Sequence, residues 1–449
     1  MKRIVSIVLC LAVLCGTLLL SSCNWLEELK DAAGERPSLG GGSESENGGT
    51  GSVYIDGSSL SAKELYEAAK EYGYQGSFFD FVAEYFSAED MGGTGSGATS
   101  IEGGISKAIL SCVSVQAVFR QSGFYGSTYG SAGSGVIYKL DKSNGSAYLI
   151  TNYHVVYDAD SRASDGISED IRVWLYGMLS SDAGIKATYI GGSMTYDIAV
   201  LKIENSEVLR NSDARAVTVA DSNYVTVGNQ AVAIGNPENS GISATAGIVS
   251  VDSEYITMTA ADGRTSVNMR VMRVDTPVNS GNSGGGLFDA TGRMIGIVNA
   301  KIVDTSTENI GYAIPSNIAT YVAESIIENY NDNDEGTFGV TKCLLGVTVR
   351  VTDSRAVYDS ETGSTYVKET VSVVDVAENY PADGRLEAGD VLVSVEVDDE
   401  IYELSRQFIM TDILLTCRAG SVLKLNVLRD GAERSFTVTL DEKYITEVE

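Results

Sequence analysis

Asn279-Ser280-Gly281-Asn282-Ser283-Gly284-Gly285-Gly286-Leu287 is the stretch on which the reading of this chain turns. A serine among so many glycines suits neither a helix nor a regular strand. Glycine opens the φ > 0 region and lets other backbone come close. The run therefore reads as a tight loop that presents one hydroxyl, Ser283, and turns backbone N–H groups toward a common point. That arrangement suits a nucleophile beside an oxyanion site. Taken alone, it is also compatible with a plain glycine-serine loop.

Two stretches upstream sharpen the reading. The chain has one histidine, His154, in Thr151-Asn152-Tyr153-His154-Val155-Val156. It follows an apolar run, Ala147-Tyr148-Leu149-Ile150, that reads as a buried strand. A lone histidine is commonly a satisfied core or surface residue. Further on, Tyr196-Asp197-Ile198-Ala199-Val200-Leu201-Lys202-Ile203 sets a carboxylate at the head of an apolar strand. By itself Asp197 reads equally as a strand-entry turn residue.

Together, in the order His, Asp, Ser, the three stretches resemble the chymotrypsin-like serine proteases, and more narrowly the HtrA/Deg family. Gly235-Asn236-Pro237 and Ile310-Gly311-Tyr312-Ala313-Ile314-Pro315-Ser316-Asn317 resemble further motifs of that family, in the expected order. Ser280 and Gly286 depart from the pattern, standing where the family often or usually has proline. The resemblance implies two six-stranded antiparallel barrels with the active site between them, His154 and Asp197 from the first and Ser283 from the second. It implies peptide-bond hydrolysis through an acyl-enzyme, with an oxyanion hole at Gly281, Asn282 and Ser283. It also implies a primary specificity pocket lined by Asn299, Ala300, Lys301 and Ile310. None of these is a carboxylate, so cleavage after Val, Ala or Ile is expected. Neither a metal nor an organic cofactor is required. A homotrimer is a further possibility. The competing readings are a peptide-binding chaperone or stress sensor with little proteolysis, and an inert surface adhesin.

The chain has 449 residues, enough for two to four domains. Its formal charge of −29 disfavours nucleic acid, whose phosphates would repel it, and polybasic attachment to anionic lipid. Six cysteines form no CxxC or His/Cys cluster, so no zinc site is expected. Cys112, Cys343 and Cys417 read as buried free thiols.

Residues 1–22 read as a targeting segment. Lys2-Arg3 precede a run from Ile4 to Leu20 that is almost entirely apolar, and Leu20-Ser21-Ser22-Cys23 closes it. This resembles a bacterial lipoprotein signal, with Cys23 as the acylated first residue of a mature, extracytoplasmic protein. Cleavage would remove Lys2 and Arg3 and no acid, so lipid rather than charge would hold the chain to the membrane. Residues 23–60 read as a flexible Gly/Ser tether and 61–90 as a helical pair, with Ser61 opening a capping box. Residues 91–104 read as a second linker.

From 105 to 315 short Val/Ile/Tyr runs alternate with Gly, Ser, Asn and Asp turns, which predicts antiparallel β-structure. No alternating βαβ pattern appears. A helix and linker are predicted for 316–342. The last stretch, 343–449, carries Leu344-Leu345-Gly346-Val347, a later Gly389-Asp390-Val391-Leu392-Val393-Ser394-Val395, and a helix from Phe408 to Cys417. This resembles a PDZ domain, with Leu344 to Val347 as the loop that binds a C-terminal carboxylate. Such domains add a peptide to a sheet edge. The partners implied are unfolded polypeptides and C-terminal peptides.

Overall fold

The computed structural model describes residues 52–55, 58–61, 101–120, 127–237, 240–302, 310–330, 339–359, 364–397 and 400–448. The targeting segment, Cys23 and the helical pair from 62 onward lie outside them. The chain divides into two units, residues 1–104 and 105–449. In the first, β1 (Ser52–Ile55) pairs antiparallel with β2 (Ser58–Ser61), Ile55 opposite Ser58. This pairing falls inside the stretch read as tether, and Ser61 ends β2. Asp56-Gly57 between two short β-prone runs is itself a hairpin signal.

Helix α1 (Ile101–Ala108) leads into the first barrel. Its strands are β3 (Cys112–Arg120), β4 (Thr128–Asp141) and β5 (Ser146–Thr151), then β6 (Asp170–Leu175), β7 (Ile185–Ser193) and β8 (Ile198–Ile203). The one-turn helix α2 (Tyr153–Val156) follows β5. The barrel closes in the order β3-β4-β5-β8-β7-β6. Alternate residues of β3, Val113, Val115, Ala117 and Phe119, point inward, as the period-two rule requires. The short helix α3 (Glu207–Asn211), capped by Ser206, begins the crossing to the second barrel.

The second barrel is built from β9 (Gln230–Gly235), β10 (Ser243–Thr259), β11 (Ser266–Val274), β12 (Gly286–Phe288), β13 (Met294–Val298) and β14 (Gly311–Pro315), closed in the order β10-β11-β14-β13-β12-β9. The two closed barrels are those expected. Helix α4 (Ser316–Asn329) then does more than link. Ile318, Ala319, Val322, Ala323 and Ile326 are buried along one face. Ser316 Oγ donates to Ala220 O, and Asn317 exchanges bonds with Ser222 while its Nδ2 reaches Asp221. Glu324 accepts from Tyr138 and Lys139 of the first barrel. The Pro-Ser-Asn end of the downstream motif is thus a rivet between the inter-barrel connection and α4.

β15 (Val340–Cys343) pairs with β22 (Ile445–Val448), so sheet pairing begins slightly upstream of 343. Between them lie β16 (Val347–Asp359), β17 (Ser364–Val376), β18 (Val391–Val397), β19 (Glu400–Glu403), α5 (Gln407–Thr416), β20 (Val422–Arg429) and β21 (Ala432–Thr439). The sheet order is β16-β17-β18-β20-β21, with β16 at the edge. Cys112, Cys343 and Cys417 are buried; the Cys343 thiol donates to Cys417 O and the Cys417 thiol to Ile413 O.

Helix α5 rests on the second barrel through charge as well as contact. Asp412 pairs with Arg270 of β11, and both side chains are almost wholly buried. The Arg270 guanidinium lies 3.9 Å from the centre of the Phe408 ring. Arg406, just before α5, pairs with Asp252 of β10 at 2.6 Å.

Candidate active site

Asp197 sits at the turn into β8 with φ of +49°, in the left-handed region that Asp and Asn tolerate better than most side chains. The unusual backbone aims its carboxylate at α2. Oδ1 accepts the His154 backbone N–H at 3.0 Å, and Oδ2 faces His154 Nδ1 at 2.7 Å. Its carbonyl accepts Tyr153 N–H and Asn152 Nδ2. The Asp197 side chain is 4% exposed and the His154 side chain 18%, so one carboxylate is buried against one imidazole with an open outer edge. A carboxylate on Nδ1 leaves Nε2 as the nitrogen free to take a proton.

Ser283 follows two residues behind Gly281, whose φ is +95°, and precedes Gly284 at +84°. A Cβ at Gly284 would fall 2.2 Å from Ser134 O and 2.3 Å from Thr151 Oγ1, so only glycine lets the loop pass this close to the first barrel. The loop's amides divide cleanly. Asn282 N–H donates to Asn279 O, Gly284 N–H to Val298 O and Gly285 N–H to Asn282 O. The N–H groups of Gly281 and Ser283 donate to nothing among the described residues. These two are therefore the donors left for an oxyanion; Asn282, grouped with them from the sequence, has its N–H engaged in a turn. Ser283 Oγ accepts Ala300 N–H at 3.2 Å and makes no hydrogen bond to His154. Catalytic contacts of this kind commonly tighten only when substrate binds.

Two residues in this site escape sequence reasoning. Ser134 of β4 is fully buried and clamps the loop from the first barrel. Its N–H donates to Ser283 O at 2.8 Å and its Oγ to Gly281 O at 2.7 Å, while Oγ also accepts Asn236 N–H at 2.8 Å. The Gly-Asn of the third motif thereby gains a purpose. Asn236 Nδ2 bonds Ser114 across the barrels, and a Cβ at Gly235 would strike Asn282 and Ser134. The only hint of Ser134 in the sequence is a serine between two glycines, Gly133 and Gly135, inside a strand.

Asn299 is the second, for the partner that its side chain finds. It was expected to line the specificity pocket. Its side chain is completely buried and donates through Nδ2 to Asp197 Oδ2 at 2.8 Å. It thus holds the same oxygen that faces His154. Ala300 touches the Ser283 hydroxyl, and Lys301 borders an open cavity of about 430 Å³ together with Ile256, Thr257, Met258, Thr259 and Tyr312. Ile310 is not among the residues around that cavity. Among the described residues no group of acidic, histidine and cysteine side chains could hold a metal ion.

In the C-terminal sheet, Gly346 has φ of +76° against the Tyr380 ring. Leu344 N–H is engaged by Tyr444 O, and the Leu345 side chain is part of the core. The N–H groups of Leu345 and Gly346 have no acceptor among the described residues. Val347 begins the edge strand β16, opposite Val376 of β17.

Comparison with known proteins agrees with this architecture. Residues 133–297 match the trypsin-like peptidase domain family and residues 343–440 the PDZ domain family. The serine protease Do-like HtrA of Lactococcus lactis subsp. lactis (strain IL1403) is 30% identical over 365 residues, covering 75% of this chain and 81% of that protein. The serine protease Do-like HtrA of Bacillus subtilis (strain 168) is 30% identical over 373 residues, covering 76% of this chain and 71% of its own length. The periplasmic pH-dependent serine endoprotease DegQ of Escherichia coli (strain K12) is 30% identical over 324 residues, covering 69% of this chain and 59% of that protein. With two closed barrels, a trypsin-like peptidase match and a PDZ domain after it in the chain, the protein belongs to the HtrA/Deg family of serine proteases.

Proposed function

We propose that this protease cleaves unfolded polypeptides outside the cytoplasm, with Ser283 as nucleophile, His154 as the proton carrier and Asp197 as the group that orients it. The observation that carries the reading is Asp197 holding both N–H groups of His154, at 3.0 and 2.7 Å, across from a serine flanked by unengaged amides. Ser283 Oγ attacks the scissile carbonyl as Nε2 takes its proton. The carbonyl oxygen, now negative, is held by Gly281 and Ser283 N–H. Nε2 then protonates the leaving amine, and water repeats the sequence to release the acyl group. Loss of one such oxyanion donor typically lowers the rate by about 10²–10³.

The edge strand β16 and the unengaged amides of Leu345 and Gly346 suit a peptide added to the sheet with its terminal carboxylate at the loop. The DegQ relative is named as periplasmic, which supports an extracytoplasmic place. The Leu-Ser-Ser-Cys box supports acylation at Cys23.

Two measurements test the whole. A fluorophosphonate should label Ser283 and stop hydrolysis of unfolded casein; a protein that neither labels nor cleaves refutes the catalytic reading. Cells fed a tagged fatty acid should mark the wild-type protein and not Cys23→Ala. An unmarked wild type removes the anchor.

A further inference from the structure

The catalytic reading accounts for Asn299 and Ala300 but leaves Lys301 unexplained. Lys301 Nζ donates to Ala260 O at 2.8 Å. An ammonium has three donors, so two remain. No carboxylate of the described residues lies within ion-pair distance of it. Asp197 and Asp262 act on it only from farther off, and loss of hydration pulls its pKa below the usual lysine range despite them. An anion beside it would offset that loss.

What surrounds the ammonium matters equally. The cavity of about 430 Å³ has Lys301 and Tyr312 on one side and Ile256, Thr257, Met258 and Thr259 of β10 on the other. Thr257 gives its hydroxyl to Asn268, whereas Thr259 and Tyr312 carry hydroxyls that bond to nothing among the described residues. Among the described residues the lining thus offers one cation, the Tyr312 hydroxyl and the Ile256 and Met258 side chains from one face of β10, and no acid. Such a lining suits a carboxylate on a short aliphatic stem.

Its position ties the cavity to the reaction. Ala300 N–H contacts Ser283 Oγ, and Asn299 N–H donates to Tyr312 O. Lys301 is one residue beyond Ala300, a Cα step of about 3.8 Å. An extended substrate advances about 3.3 Å per residue, so the cavity falls within roughly three residues of the bond being cut.

We propose that this cavity is a substrate subsite for a carboxylate, with Lys301 as its specificity-determining residue, so that the protease favours sequences bearing Glu or Asp within three positions of the cleavage point. The proposal rests on Ser283 being the nucleophile.

The test uses the full-length protein and a set of fluorogenic peptides of one parent sequence. Glu, Gln or Lys is placed in turn at each of the three positions on either side of the scissile bond, with C-termini free or amidated. At one position Glu should raise kcat/KM about five- to tenfold over Gln, whether or not the C-terminus is amidated, the range set by a partly exposed charge-assisted pair. Lys301→Gln should bring that ratio to about one, and Lys301→Glu should favour the Lys peptide. Because each ratio is taken within one variant, a general loss of activity leaves it unmoved. A wild-type ratio near one at every position, or a ratio unchanged in both variants, overturns the proposal. A preference that vanishes on amidation assigns the cavity to a terminal carboxylate instead and overturns the side-chain assignment. No cleavage of any peptide by a wild type that also fails to label with fluorophosphonate overturns the catalytic reading beneath it.

Discussion

Asp197→Asn is expected to fold normally and to lose on the order of 10⁴ in kcat. Asparagine tolerates the left-handed backbone at +49°, so the turn survives the change. What changes is the group facing His154 Nδ1. If the amide presents NH₂ there, the imidazole is held in the tautomer whose proton sits on Nε2, and Ser283 has no base. His154→Ala should be as damaging as Ser283→Ala, because the chain has no other imidazole to act near neutral pH. The two losses should not add, since the residues work as a unit. Casein or peptide hydrolysis by the three single variants and the His154/Ser283 double variant reads this directly. Near-normal turnover in any single variant removes that residue from the mechanism.

Removing Asp412 should produce the largest loss of stability. Its partner Arg270 is 3% exposed, so Asp412→Ala would leave a buried guanidinium without its anion. Breaking such a pair from one side costs about 3–5 kcal/mol. Replacing both residues by apolar ones of similar volume should cost far less, which separates the pair from the packing around it. Denaturant titration of the three proteins measures the difference; equal midpoints for wild type and Asp412→Ala contradict the role given to the pair.

The same residue sets a pH dependence. Burial pushes the Asp412 carboxyl up to about 6, with Arg270 opposing and Asp221 reinforcing the rise. Tyr196, Tyr255 and Tyr321 also face it. The folded pKa lies above the unfolded value of 3.8, so between those two values the folded protein keeps a proton that the unfolded chain has lost. This contribution is full below pH 3.8 and disappears as pH rises to about 6. Asp412→Asn should flatten that slope.

The parts of this protein that were legible in its sequence are those where chemistry is confined to a few neighbouring residues. A serine needing φ > 0 on both sides must bring its glycines along, so the loop at Ser283 announces itself. The alternation in β3 and the buried face of α4 are likewise local patterns. Ser134, Asn299 and the Arg270–Asp412 pair were not legible for the opposite reason. Each acts on a partner about a hundred residues or more away, and nothing beside it in the chain differs from an ordinary strand or helix. Asn299 lies between β13 and the turn that carries Ala300, and its side-chain partner Asp197 belongs to the other barrel, so no local pattern announces the bond. The pairing of 52–55 with 58–61 is hard to read because these short runs lie within a glycine-rich stretch.

The clamp formed by Ser134 bears on when the enzyme becomes dangerous. Its bond to Gly281 joins residues 147 positions apart. Contacts of such sequence separation require closure of a long loop, which is slow and costs entropy. The two amides that would hold the oxyanion are positioned by that contact, so a newly made chain carries serine, histidine and aspartate well before it carries a working catalyst. Activity is thus tied to completed tertiary structure and not to the presence of the three side chains alone.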